Sequence, residues 1–150
     1  MIFSRLVVPL LSMWFFGNLY EQVVWNPQLL ADPRPGSLVG VFAAGSPVYY
    51  YLPWGPLGVV LAVVTRAPWP ALGCLAVSIA MKILLITQVN PVFRDPAVSR
   101  EVVHDHAVLW AFGNGVVVIA VGAAILLVQR AARRGATPGG RPSAAPARPS

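Results

Sequence analysis

The chain is poor in the residues that carry most enzyme chemistry. Cys74 is its one cysteine, so neither an intrachain disulfide nor a cysteine-ligated zinc site can form. In a helix, Cys74 reads as a small apolar filler. Lys82 is the sole lysine. Only 11% of the 150 residues are charged, and five of them are acidic. A soluble domain of this size needs a larger polar surface than that. No Walker loop, GxGxxG, GxSxG or haem motif occurs. No cofactor and no metal are expected.

Apolar residues dominate instead. They make up 57% of the chain, and the mean hydropathy is +0.67. Four apolar segments, 5–25, 47–65, 69–89 and 106–129, each approach the roughly 20 residues that cross a bilayer as a helix. Backbone groups in a bilayer must be satisfied within the segment, and four short spans cannot close a barrel. The fold class expected is therefore all-α: an integral membrane four-helix bundle, residues 1–130, with its partner the lipid bilayer. The first segment has Arg5 and an apolar centre but no small-x-small cleavage site, so it reads as a retained helix and not a signal peptide.

Much of the net charge of +6 sits in "RAARRGATPGGRPSAAPARPS" at the end of the chain. Its position after an apolar run reads as a membrane-orienting tail, not as a nucleic-acid surface. Rich in Pro, Gly, Ala and Ser, residues 131–150 are expected to be disordered. Four spans put both termini on one side, where Arg5, Arg66, Arg130, Arg133 and Arg134 also fall. Arg34, Arg94 and Arg100 lie opposite, offset by Asp32, Asp95 and Glu101. The positive-inside rule then places both termini in the cytoplasm of a multi-pass cell-membrane protein.

Prolines mark the expected boundaries. Asn26-Pro27 and Asn90-Pro91 should stop helices one and three, because a residue before proline is pushed out of α geometry. Ser46-Pro47 and Asp95-Pro96 should open helices two and four. Pro53 and Pro56 should kink or unwind the first half of helix two. "VVWNPQLLADP" and "TQVNPVFRDP" share a pattern that hints at two related helical hairpins.

"WFFGNLYEQVVWNP" raises the functional question, because it places a carboxylate in a membrane-like segment. Trp14, Asn18, Glu21, Gln22 and Trp25 share one helical face. With helix three running outward, Lys82 falls roughly 12 Å from its outer end. Tyr50 on helix two, Asn90, and His106, Trp110 and Asn114 on helix four join them in the outer half of the bundle. The inner halves are almost purely apolar. Ionisable residues inside a membrane are costly and mark functional sites by default. The residues expected to act chemically are Glu21, Lys82 and His106; those expected to line a pocket are Trp14, Asn18, Gln22, Tyr50, Asn90, Trp110 and Asn114. A plainer reading fits the same residues. Glu21 and Lys82 could form one structural ion pair, the aromatics could anchor the interface, and the asparagines could hydrogen-bond across helices. Glu101, His104 and Asp105 share a face at the start of helix four, where a solvated cap explains them better than a metal does.

The motifs "FFGNLYE", "TQVNPVF" and "WAFGN" resemble a large group of small four-helix bacterial membrane proteins related to the anthrone-oxygenase-like domain family. That resemblance implies a lipophilic substrate. The arginine these families often carry after the helix-four asparagine is replaced here by "GVVVIAV". Chemically, a protonated Glu21 in low dielectric could start a terpenoid-type cyclisation or isomerisation, with aromatic faces stabilising the cation. Paired with Lys82, it would instead suit a base, as in a cofactor-independent anthrone-type oxidation. The non-enzymatic alternative is a small transport or assembly protein, possible also as a homo-oligomer.

Overall fold

The computed structural model describes residues 2–36, 49 and 52–135. Every regular element among them is helical, and no strand occurs there. The elements are α1 (Ile2–Tyr20), α2 (Asn26–Ala31), α3 (Trp54–Val64), α4 (Trp69–Leu84) and α5 (Arg100–Gly135). A π-turn, Glu21–Trp25, joins α1 to α2, and a second, Leu85–Val89, leads from α4 into a 3-10 turn, Asn90–Arg94. Two helical stretches are long and apolar enough to cross a membrane, Trp69–Arg94 and Arg100–Arg134, and Trp54–Val64 is a shorter apolar helix.

The Asn-Pro pairs do not end their helices. Asn26 and Asn90 both keep right-handed helical angles, with φ near −60°. Each backbone N–H bonds a carbonyl five residues back, that of Glu21 or Leu85. An α-turn would press the proline ring against the carbonyl four residues earlier. A wider π-turn before the proline relieves that contact, and the helix continues. The expected stops are therefore continuations, and each helix reaches further than its sequence suggests.

Other boundaries move for equally local reasons. Pro53 precedes α3 and Pro56 lies in its first turn, where proline removes no intrahelical bond, so neither kinks the helix. A turn closes α3 with the Ala67 N–H on the Ala62 carbonyl and Arg66 at φ 55°, the arrangement of a Schellman cap. α5 starts at Arg100, not at Pro96. Asp95 instead accepts the Ala97 N–H in a turn, and Ser99 accepts the N–H of Val102 at the helix start. At its other end α5 extends to Gly135, past the expected boundary at 130. Ser46-Pro47, Tyr50 and residues 136–150 lie outside the described residues.

The first half of the chain and the second share one pattern. Shifted by sixty-four positions, α1, its π-turn and α2 fall on α4, its π-turn and the 3-10 turn. Buried positions coincide: Val7 with Ala71, Leu11 with Leu75, Asn18 with Lys82, Glu21 with Leu85 and Leu29 with Phe93. α3 packs on α1 as α5 packs on α4, and α5 also packs on α1. α3 and α4, consecutive in the chain, barely touch.

Packing divides the interior into layers. One apolar cluster holds Val7, Leu11, Leu75, Val117 and Val121. The other holds Leu29, Leu85, Phe93, Val103 and Trp110. Between them along α1, α4 and α5 lie the buried polar residues Asn18, Glu21, Ser78, Lys82 and Asn114. Outward-facing side chains are the reverse: Phe112 is 72% exposed and Ile119 75%. A buried polar layer between two apolar clusters, beneath many large exposed apolar side chains, departs from the pattern of a water-soluble bundle.

Candidate functional site

The π-turn after α1 sets the site. It brings Glu21 inward at 1% exposure, facing Lys82 of α4 and Trp110 and Asn114 of α5. Lys82 Nζ donates to Glu21 Oε2 at 2.9 Å and to Asn114 Oδ1 at 2.9 Å. The Trp110 indole N–H donates to the other carboxylate oxygen, Oε1, at 2.9 Å. Both oxygens of Glu21 thus accept hydrogen bonds, one from a cation and one from a neutral donor. The Lys82 ammonium also stands 5.2 Å from the centre of the Trp110 ring, within cation–π range.

Asn114 ties this pair to α1. Its Nδ2 donates to the Asn18 carbonyl at 2.9 Å and to Gln22 Oε1 at 3.2 Å. Gln22 Oε1 accepts a second bond, from Asn26 Nδ2 at 2.8 Å. Asn18 turns its own Nδ2 back to the Trp14 carbonyl at 2.7 Å. Buried charges and amides are costly unless paired, and here most of their polar atoms are. The exceptions in the cluster are Asn18 Oδ1 and Asn26 Oδ1, buried acceptors that have no hydrogen-bond partner.

Glu21, Lys82, Asn18, Gln22, Trp110 and Asn114 come together as one cluster, and Trp14 lies beside it at 5% exposure. His106 does not join. Its Nδ1 lies 2.8 Å from the Val102 carbonyl, one turn back on its own helix. Asn90 stays apart as well, its Oδ1 buried without a partner at the second Asn-Pro turn. Tyr50 is outside the described residues, and Tyr49 beside it is exposed. Sequence reasoning took Asn26 for a helix terminator; its amide instead holds Gln22. Only the π-turn makes that role visible. Glu101, His104 and Asp105 are exposed on the first turns of α5, with His104 Nδ1 3.7 Å from Asp105 Oδ1.

The cluster also lies deeper than expected. Lys82 is twelve residues from the end of the helical stretch at Arg94, roughly 18 Å at 1.5 Å per residue. The second apolar cluster covers this side of it.

Behind Lys82 opens a cavity of about 380 Å³, between α1, α3 and α4. Trp14, Gly55, Val59, Val60, Ile79 and Ile83 form much of its wall, and Lys82 is the one ionisable residue in its lining. Gly55 is required there: a Cβ would lie 2.9 Å from the Trp14 ring. Its volume is at the lower end of the small-molecule range. Of the residues expected at a pocket, Trp14 and Lys82 line this cavity, whereas Asn18, Gln22, Trp110 and Asn114 do not.

Compared with family models, with curated proteins and with solved structures, the chain matches none.

Proposed function

We propose that this is a multi-pass protein of the cell membrane, both termini cytoplasmic, and an enzyme that acts on a lipophilic small molecule by proton transfer. The observation that carries this reading is the placement of the Glu21–Lys82 pair. It sits at the centre of an apolar bundle, and Lys82 forms part of the wall of an apolar cavity. Ionisable residues buried in a membrane segment mark function by default, and a mostly apolar pocket is the common form of small-molecule site.

Both oxygens of Glu21 act as acceptors. A carboxylate that accepts at both oxygens presents no O–H to a substrate, and it can take a proton only if a substrate displaces one of its two donors. That favours base-initiated isomerisation, or the anthrone-type oxidation implied by the family resemblance, over an acid-initiated terpenoid cyclisation. In the isomerisation, Glu21 takes a proton from the carbon beside a carbonyl and returns it at another carbon, while Lys82 stabilises the oxygen on which negative charge develops between the two transfers. The test compares lipid extracts of cells expressing the wild type, Glu21→Gln and Lys82→Met by mass spectrometry. A product of the wild type should vanish in both variants at equal protein level. Its persistence in Glu21→Gln would remove the base role.

A second reading rests on how closed the cluster is, with Glu21 1% exposed and hydrogen-bonded at both oxygens. In that reading the pair fixes helix packing in a non-enzymatic transport or assembly subunit. Both variants then leave the lipid extracts unchanged and alter the oligomer. Orientation is tested separately by reporter fusions at the C-terminus, which should be active only in the cytoplasm.

A further inference from the structure

The two ends of the bundle differ in charge. The chain has five acidic side chains. Glu21 is buried at the centre, and Asp32, Asp95, Glu101 and Asp105 belong to one end, where Asp32 pairs with both Arg34 and Arg100. The other end holds Arg5, Arg66, Arg130, Arg133 and Arg134 and no acidic side chain.

Three segments bring these arginines to one level. Gly55 and Gly58 of α3 face Trp14 and Leu11 of α1, and Trp110 and Gly122 of α5 meet Glu21 and Phe15. Both helices therefore run antiparallel to α1. Counted on from these contacts at 1.5 Å per residue, Arg5, Arg66 and Arg130 fall within about 6 Å of one another along the bundle, roughly one helical turn. Arg134 follows Arg130 one turn later on the same face of α5. Arg5, Arg66, Arg130 and Arg134 are all exposed. Next to them the exterior is apolar: Val64 and Trp69, on either side of Arg66, are 68% and 83% exposed.

Helix ends alone do not account for this set. A cation suits the C-terminal end of α5, but not the first turns of α1, where Arg5 sits. Arg66 holds the left-handed position that closes α3, at φ 55°, where glycine carries no strain and arginine does. At two positions, then, arginine stands against the local backbone preference. A guanidinium placed so gains from an anion outside the chain, and its flat set of donors matches a phosphate.

We infer that Arg5, Arg66, Arg130 and Arg134 form a binding surface for the phosphate of an anionic phospholipid in the leaflet at that end. The exposed apolar surface beside the arginines favours a lipid over a soluble polyanion, because it offers a wall to the acyl chains. This rests on the bilayer placement proposed above and not on any proton transfer, and the C-terminal reporter fusions test that placement independently.

The test titrates the full-length protein in non-ionic detergent with phosphatidylglycerol and follows adducts by native mass spectrometry. Saturable binding is expected, with phosphatidylcholine at least about fivefold weaker. Inorganic phosphate at the same concentration should not displace the lipid. Arg66→Gly and Arg130→Gln should each weaken binding about fivefold, the factor expected for one arginine near a charged headgroup. Arg94→Gln removes the same charge at the opposite end and should change nothing. Without lipid, Arg66→Gly should unfold about 2–4 °C above the wild type, because glycine relieves the turn. Weaker binding by a more stable protein separates a lost contact from a folding defect. If Arg66→Gly unfolds lower instead, Arg130→Gln decides the site. Wild-type affinity in Arg130→Gln, or an equal loss in Arg94→Gln, overturns the site. Equal retention of phosphatidylcholine overturns the headgroup, and displacement by inorganic phosphate or an oligonucleotide overturns the lipid as its source.

Discussion

The indole N–H of Trp110 reaches the Glu21 oxygen that Lys82 does not take, at 2.9 Å. Phe93 and Trp25 meet the same indole edge-on, with centroids 6.0 and 6.1 Å away, so its direction is fixed. Trp110→Phe keeps much of the packing and removes the donor. It should cost about 1.5–3 kcal/mol, the range for a hydrogen bond to a charged group. Unfolding in mixed micelles measures this. A loss below ~0.5 kcal/mol would show that the bond contributes little.

Removing one member of the Glu21–Lys82 pair leaves the other buried and uncompensated. Lys82→Met or Glu21→Leu alone should destabilise by about 3–5 kcal/mol, and the double variant should recover much of that loss. A double-mutant cycle reads the coupling directly. Additive losses would mean that the two charges do not depend on each other.

Two glycines on neighbouring helices should respond oppositely. A Cβ on Gly113 would lie 2.8 Å from a Leu85 methyl, whereas nothing approaches within 4 Å of one on Gly73. Gly113→Ala should destabilise by about 1–3 kcal/mol through overpacking. Gly73→Ala should stabilise α4 by about 0.5–1 kcal/mol. Thermal unfolding of the two variants side by side checks the sign of each.

The loop after α2 carries a pH-dependent tie. Asp32 pairs with Arg34 and, at 2.8 Å, with Arg100 at the start of α5. The hydrogen bond from Arg34 holds the Asp32 carboxyl below its ordinary value of 3.8. A lowered carboxyl gives stability that is present above the unfolded value and is lost as pH falls through the folded one. The tie should thus persist at pH 5 and loosen only below about pH 4. Carboxyl NMR titration should show this step, and Asp32→Asn should abolish it. A midpoint above the ordinary value would reverse the sign.

Much of the site's helix facing was readable in the sequence. Spacing alone put Asn18, Glu21 and Gln22 together, and the scarcity of charge singled out Glu21 and Lys82. Periodicity could not show that an Asn-Pro pair would be crossed by a π-turn, because that depends on a carbonyl four residues upstream and not on the pair itself. Hence the depth of the cluster and the role of Asn26 were missed. His106 shares a periodic face with Trp110 and Asn114, yet it lies one turn before the first and two before the second, and it bonds its own helix. A pocket was expected, and Trp14 and Lys82 do line the cavity, but its place between α3 and α4 was not legible, since an unfilled contact is a property of the pair of helices and of neither sequence.

The layered interior has a consequence for how the chain is made. Glu21 belongs to the earlier half and Lys82 to the later one. Until the second half emerges, Glu21 is without the cation it pairs with in the fold. The central ion pair can therefore close only after the second half has been translated, because its two members come from different halves.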